Sequence, residues 1–318
     1  METPVSTSEP SIARYANRPL ALYVAATRPA FLAASAVPAL IGLASAYHGG
    51  VGIGLWSALL TVLGAVLAHA GINVLNDFYD SRNGTDALNT ERLYPFTGGS
   101  RFIQNGVLSS HQTGWFGGAL MLATMLVGLL LLAESGPGLL AVGGAGLLIG
   151  WAYSAPPLAL NSRGFGELCV AVGFGLLIPL GADYVQRASF AALPLYAGLS
   201  FALLALDLLY INQFPDYRAD RAVGKAHWVV RLGPRRSRWG YLLVVLLAYA
   251  ALAGLIGLGW LPSWCMLGLL TMPVSLHASL ELLRYAEQPQ QLGLAIRQTV
   301  LALLAHGLLV SLGLILAA

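Results

Sequence analysis

The sequence predicts an all-α, polytopic membrane protein, and three observations carry that expectation. Of 318 residues, 57% are hydrophobic and only 10% are charged, whereas a soluble domain carries roughly 25% charged residues. The mean hydropathy is +0.71. Apolar runs close to the ~20 residues needed to cross a bilayer recur along the whole chain. The lysines and arginines between those runs fall almost entirely on one side when the runs are threaded alternately.

The elements follow in order. Residues 1–18 are polar, include Pro4, Pro10, Arg14 and Arg18, and contain no apolar signal core, so they read as a cytoplasmic lead-in to a single domain over 19–318. Apolar runs then lie near 28–47, 54–76, 113–133, 138–154, 165–182, 190–212, 239–260, 263–282 and 297–317, about nine helices. The run at 138–154 is the shortest. Proline at 29 and 38 is expected to bend the first helix. Abundant glycine, 37 residues, suits close helix contacts in lipid. Cys169 and Cys265 lie in apolar runs and read as small core residues.

With the N-terminus in the cytoplasm, Arg14, Arg18, Arg28, Arg82, Arg92, Arg101 and Arg163 are inside. So are Arg218, Arg221, Lys225, Arg231, Arg235, Arg236, Arg238, Arg284 and Arg297, and only Arg187 falls outside. The two long polar loops, 77–112 and 213–238, are therefore cytoplasmic. The net charge of +3 is small and gives no case for nucleic-acid binding. The basic residues mark orientation in a lipid bilayer, and Arg235, Arg236 and Arg238 read as the membrane surface.

Both long loops begin with acids. At the end of the second run Asn73, Asn76, Asp77 and Asp80 are spaced three or four apart or adjacent, which places them on one helical stripe. In "INQFPDYRADRAVGK", Asn212, Asp216 and Asp220 recur every four residues. One aspartate at a helix end reads first as a side chain meeting water. Two clusters at helix C-termini are different, because the helix dipole disfavours acids there and like charges repel without a cation. Hard oxygen ligands suit Mg²⁺, which keeps waters and bridges carboxylates to phosphates. Interleaved Arg and Lys suit the remaining phosphate oxygens. A diphosphate site at the mouth of an apolar bundle implies an amphiphilic substrate, for which a prenyl diphosphate fits.

These residues resemble the UbiA superfamily of intramembrane prenyltransferases over nearly the whole chain. "NDFYDSRNGTD" resembles the first Asp-rich motif and "DYRAD" the second. "TRPAFLAASAVPALIG", "AYSAPPL" followed by "RGFGE", and "DRAVGKAHWVVRLG" extend the likeness. The resemblance implies about nine helices around a central cavity, a lateral opening to lipid, and a cytoplasmic cap built from the 2–3 and 6–7 loops. It implies Mg²⁺ held by Asp77, Asp80, Asp216 and Asp220. The motif's usual third acid falls at Gly84; glycine there with an acid two residues later resembles the menaquinone-type branch, making Asp86 the substitute ligand. By the same resemblance Asn73, Asn76, Arg92, Asn212 and Lys225 are substrate-binding candidates. "FTGGSRFIQNGVLS", similar to the same branch, adds Arg101. Tyr153 matches a tyrosine near the reacting centre, against its plainer reading as an interfacial aromatic. Where some relatives carry a lysine after it, this chain reads Ser-Ala-Pro-Pro-Leu; after the second motif's Gly-Lys it has Ala226-His227.

The implied reaction is Mg²⁺-dependent polyprenyl transfer to an aromatic acceptor. The branch favours 1,4-dihydroxy-2-naphthoate, in menaquinone biosynthesis at the cytoplasmic face of the inner membrane. 4-Hydroxybenzoate, homogentisate and other quinone or lipid precursors stay open as acceptors. An ion-coupled transporter is the rival from another class, though its acids belong near the midplane. Three polar residues inside the spans read first as structural: His69 as a hydrogen-bonded bundle residue, Asp207 as one with a structural partner, and Glu167 as a loop tether.

Overall fold

The computed structural model describes residues 9–318, and the first eight residues of the lead-in lie outside it. Among the described residues there is no β-strand. We number the nine principal helices α1 (Pro29–His48), α2 (Leu55–Asn83), α3 (Ser110–Ser135), α4 (Gly138–Ser154) and α5 (Gly166–Arg187). They continue with α6 (Leu193–Ala222), α7 (Pro234–Gly257), α8 (Ser263–Tyr285) and α9 (Gly293–Leu316). Eight of these are long and apolar enough to cross a membrane; α4, with 17 residues, is shorter. It stops where Pro156 and Pro157 follow, since proline has no amide to continue the helix. The protein is an integral, multi-pass membrane protein.

Each helix follows its sequence. Pro29 does not bend α1; it stands at the first turn, where its missing N–H costs nothing, and Pro38 alone lies inside the helix. α2 runs on past the apolar residues to Asn83 and closes at Gly84 with φ 84°. α6 likewise continues through the acid stripe to Ala222, with Pro215 inside it. Both polar loops are therefore shorter than hydropathy indicates. α3 turns Leu122, Leu126, Leu129 and Leu130 outward, as a lipid-facing helix does. α6 is the most enclosed span, 72% buried, packing against α5, α7, α9 and α1. Its crossing with α5 is close: a Cβ on Gly198 would collide with the carbonyl of Gly175. Around that crossing α5 widens into π-helix over Ala171–Leu177, a distortion that often accompanies functional cavities.

The described part of the lead-in is ordered against the 2–3 loop. Glu9 accepts from Arg92 Nε at 2.7 Å and from Asn105 at 3.2 Å, and its other contact is Arg101 at 3.9 Å.

Candidate active site

Helix ends bring the two acid stripes together. Asp80 on α2 and Asp220 on α6 both meet the Lys225 ammonium, at 3.1 Å each. One cation thus ties the two stripes across the fold. Burial alone would favour neutral Lys225, but the two carboxylates outweigh it and hold its pKa well above the ordinary lysine value. Asp216 accepts from Asn89 of the 2–3 loop at 2.5 Å. Arg218 pairs with Glu91 at 2.8 Å, so the loop after α2 lies over the end of α6 as a cap.

Gly84 and Asp86 act as a pair. The left-handed turn at Gly84 ends α2 and starts the short helix Thr85–Leu88. That reversal turns Asp86 back inward, where it is 3% exposed and accepts from Gln104 at 3.2 Å. Burial, and then the charges of Asp77 and Asp80, push the Asp86 carboxyl well above the usual carboxylate range. The cap loop presses on both acids through Gly99: a Cβ there would lie 2.6 Å from Asp86 Oδ2 and 3.0 Å from Asp77 Oδ1. With φ 72° as well, Gly99→Ala is expected to lower activity by about tenfold or more while the bundle stays folded, checked by turnover beside thermal melting in detergent. Asp77 itself accepts from the Ser100 amide at 3.2 Å.

Below the acids a cavity of about 240 Å³ runs into the bundle. Its polar end is lined by Asp80, Asp86, Asp216, Asp220, Asn73, Asn76, Asn212 and Lys225. Its apolar end is lined by Phe31, Ile149, Phe174, Leu208, Leu209 and Leu303, with Tyr153 between. Asp77 stands behind Gly99, outside the lining. Arg92 and Arg101 are outside it too: Arg92 is held by Glu9 and the Asn89 carbonyl (2.6 Å), and Arg101 by the Asp86 carbonyl. Asn76 donates to Ser154 at 3.0 Å and Asn73 to the Thr27 carbonyl at 3.1 Å. Asn212 keeps a buried side-chain oxygen with no partner among the described residues.

The structure adds residues that the motifs did not single out. Arg28 lines the polar end, donating to the Phe96 carbonyl at 2.8 Å. Its own φ is 60°. It passes in the sequence as a positive-inside residue. His227 fills a place where the chain departs from the family it resembles: Nε2 is 3.0 Å from Asp220 Oδ2, and Nδ1 accepts from the Val230 amide. That acceptance leaves the proton on Nε2, so His227 donates to Asp220 even when neutral. Glu167 is the expected tether, accepting from Gln213 at 3.0 Å and the Trp228 amide at 3.1 Å. His69 sits 3.4 Å from Ser35 Oγ, edge-on to Phe174, and also lines the cavity. Asp207 departs from expectation: it is fully buried, and neither carboxyl oxygen has a partner among the described residues. It faces away from the cavity, where α6 is enclosed by other helices and no donor reaches it. Cys265 is a buried core residue, whereas Cys169 lines the cavity.

Fold and site together define a membrane-embedded helical bundle with a one-ended, acid-rich mouth over an apolar pocket. The UbiA prenyltransferase family matches residues 35–316, and the chain belongs to that family. It is similar to a Mycobacterium tuberculosis protein named 1,4-dihydroxy-2-naphthoate octaprenyltransferase, 31% identical over 92% of this chain and 96% of the relative. An Escherichia coli protein of the same name is 29% identical over 81% of this chain and 84% of its own. Among solved structures, a UbiA homologue from Archaeoglobus fulgidus bound to DMAPP and Mg²⁺ superposes with a TM-score of 0.58 at 16% identity, covering 91% of this chain and 99% of that one. A UbiA homologue from Aeropyrum pernix gives 0.61 at 18% identity, covering 89% and 97%. The protein is accordingly an enzyme, a UbiA-type prenyltransferase, and the ion-coupled transporter is set aside.

Proposed function

We propose that this enzyme transfers a polyprenyl group from a prenyl diphosphate to 1,4-dihydroxy-2-naphthoate, with loss of the acceptor's carboxylate, in menaquinone biosynthesis. The observation that carries the reading is the single cavity whose polar end joins both acid stripes and whose other end is apolar. A diphosphate head and an isoprenoid tail need those two environments side by side. The acceptor class is supported by the relatives' names, including a Synechocystis 2-carboxy-1,4-naphthoquinone phytyltransferase, 25% identical over 85% of this chain. The positive-inside pattern supports a cytoplasmic membrane location with the N-terminus and site facing the cytoplasm.

The donor set fits Mg²⁺. Among the described residues, Lys225 is the only lysine or arginine paired with the five carboxylates at 77, 80, 86, 216 and 220, so carboxylates outnumber their paired cation. No three His, Cys, Asp or Glu side chains among the described residues converge enough to hold a metal unaided, so water and phosphate oxygens would have to complete the shell. Asp80, Asp86, Asp216 and Asp220, which line the polar end, would hold it, with Asp77 adding its charge from behind Gly99, and the ion when bound would neutralise charge on the departing diphosphate. A. fulgidus structures with DMAPP or GPP and Mg²⁺ support the same chemistry.

The chain's residues do the rest. Lys225, Arg28 and the amides of Asn76 and Asn212 offer donors at the polar end, where a diphosphate is held. Breaking the prenyl C–O bond leaves an allylic cation. Tyr153, Phe31 and Phe174 present aromatic surface to it, and the apolar end excludes water that would capture it. Attack by the carboxylate-bearing ring carbon of the acceptor forms the new C–C bond, and cleavage of the bond to that carboxylate releases CO₂ and returns its electron pair to the ring. Arg92 and Arg101 act in this reading through the cap, by fixing Asn89 and Asp86, and not by direct contact.

Mass spectrometry of products from a panel of aromatic acids and prenyl diphosphates tests the proposal. The naphthoate gives a prenylated, decarboxylated product, and EDTA abolishes its formation. Faster turnover of 4-hydroxybenzoate or homogentisate would overturn the acceptor assignment.

A further inference from the structure

A second pocket lies outside the central cavity and shares three side chains with it: Asp80, Asn161 and Lys225. Its outer wall comes from the end of α2, the loop after α4 and the turn after α6, where Arg82, Ser162 and Val223 stand. All three are cytoplasmic-side segments by the positive-inside pattern. The partition between pocket and cavity is therefore made of side chains. Its centre is the Lys225 amine, held by ion pairs to Asp80 and Asp220 and, among the described residues, by no backbone group. The adjoining Gly224 has φ 81° and open space where a Cβ would be.

Besides CO₂, the reaction makes two products of opposite character. The prenylated ring is apolar and can leave sideways into lipid. Inorganic diphosphate is a small polyanion, and hydrocarbon is closed to it by the cost of desolvating charge. The second pocket offers what that anion needs: a mouth on the cytoplasmic side of the fold, Arg82 at its wall with the guanidinium over the Phe78 ring, the Asn161 amide with the Ser162 hydroxyl bonded to it, and an ammonium at the inner end. Lys225 can follow the anion, because its four-carbon stem lets the amine move while Asp220 keeps His227 as a second donor.

We propose that this pocket is the aqueous door of the active site, through which inorganic diphosphate leaves past the Asp80–Lys225 ion pair. The inference rests on the catalytic reading above and adds the route. Its test closes the door from outside. Ser162→Cys and Val223→Cys are each derivatised with a bulky, membrane-impermeant maleimide, and unsubstituted protein treated identically controls for Cys169 and Cys265. Two rates are followed: prenyl transfer in the first turnover, and release of radiolabelled diphosphate formed in that turnover. The expected result at both positions is an unchanged first turnover with release slowed about tenfold or more, so that release limits steady-state turnover. Unchanged release at both positions would overturn the proposal, and so would equal loss of first turnover and release. If the underivatised protein forms no diphosphate, the catalytic reading fails instead. Radiolabelled inorganic diphosphate bound with Mg²⁺ and chased with unlabelled diphosphate then measures the door alone, with the same two outcomes.

Discussion

Asp216→Asn lowers kcat/KM for prenyl transfer by about 10²–10³-fold, the usual loss when one preorganised electrostatic group at a developing charge is removed. The substitution keeps shape and removes only charge. Asp216 lines the polar end and accepts from Asn89 at 2.5 Å and from the Thr97 side chain. An asparagine can still meet Asn89, so cap and helix are held and the thermal melt in detergent stays near wild type. What changes is the second stripe's share of the binding charge. The Mg²⁺ concentration for half-maximal rate accordingly rises, and saturating Mg²⁺ recovers part of the loss. A matching Asp80→Asn shows the same pattern from the first stripe, although Asp80 also loses part of its pairing with Lys225.

Lys225→Met has the larger effect on the fold. The side chain is 10% exposed and stands between Asp80 and Asp220, themselves 12% and 7% exposed. Removing it leaves two buried carboxylates without their shared cation, with only His227 on Asp220 and Asn83 on Asp80. Breaking a buried pair by deleting one member costs about 3–5 kcal/mol. The expected result is a marked fall in melting temperature together with a loss of about 10²-fold or more in kcat/KM. Added Mg²⁺ restores part of the stability, because a divalent ion can neutralise the same acids. Lys225→Arg keeps the charge but replaces a compact ammonium with a planar fork, so it recovers more stability than activity. A variant as stable as wild type would contradict the bridging role.

The fold and the acids were legible in the sequence because both rest on short-range rules. Apolar length marks spans, and three- and four-residue spacing puts Asp77 and Asp80, or Asp216 and Asp220, on one face. The places where helices stop were not legible from hydropathy. α2 and α6 outrun their apolar residues because their acid stripes are still helical and find partners in the cap: Ser100 for Asp77, Asn89 for Asp216. Contacts between distant segments were also hidden. Nothing local to Arg92 announces Glu9, 83 residues away, so a cation read as facing substrate stands behind the cap. Arg28 is the converse case, a residue that looked like a topology marker and lines the cavity. Gly84 and Asp86 show a motif departure that becomes physical once φ is known: the glycine permits the turn that brings the displaced acid back. His227 is similar, an unexplained substitution until its Nε2 is found 3.0 Å from Asp220.

The central claim is that the two stripes form one diphosphate site and act only together. It is tested most directly by equilibrium binding of an unreactive prenyl thiolodiphosphate to wild type, Asp80→Asn and Asp216→Asn, each with and without Mg²⁺. The account predicts Mg²⁺-dependent binding to wild type that falls by at least about tenfold in either single variant. Undiminished, Mg²⁺-dependent binding to either variant would contradict it.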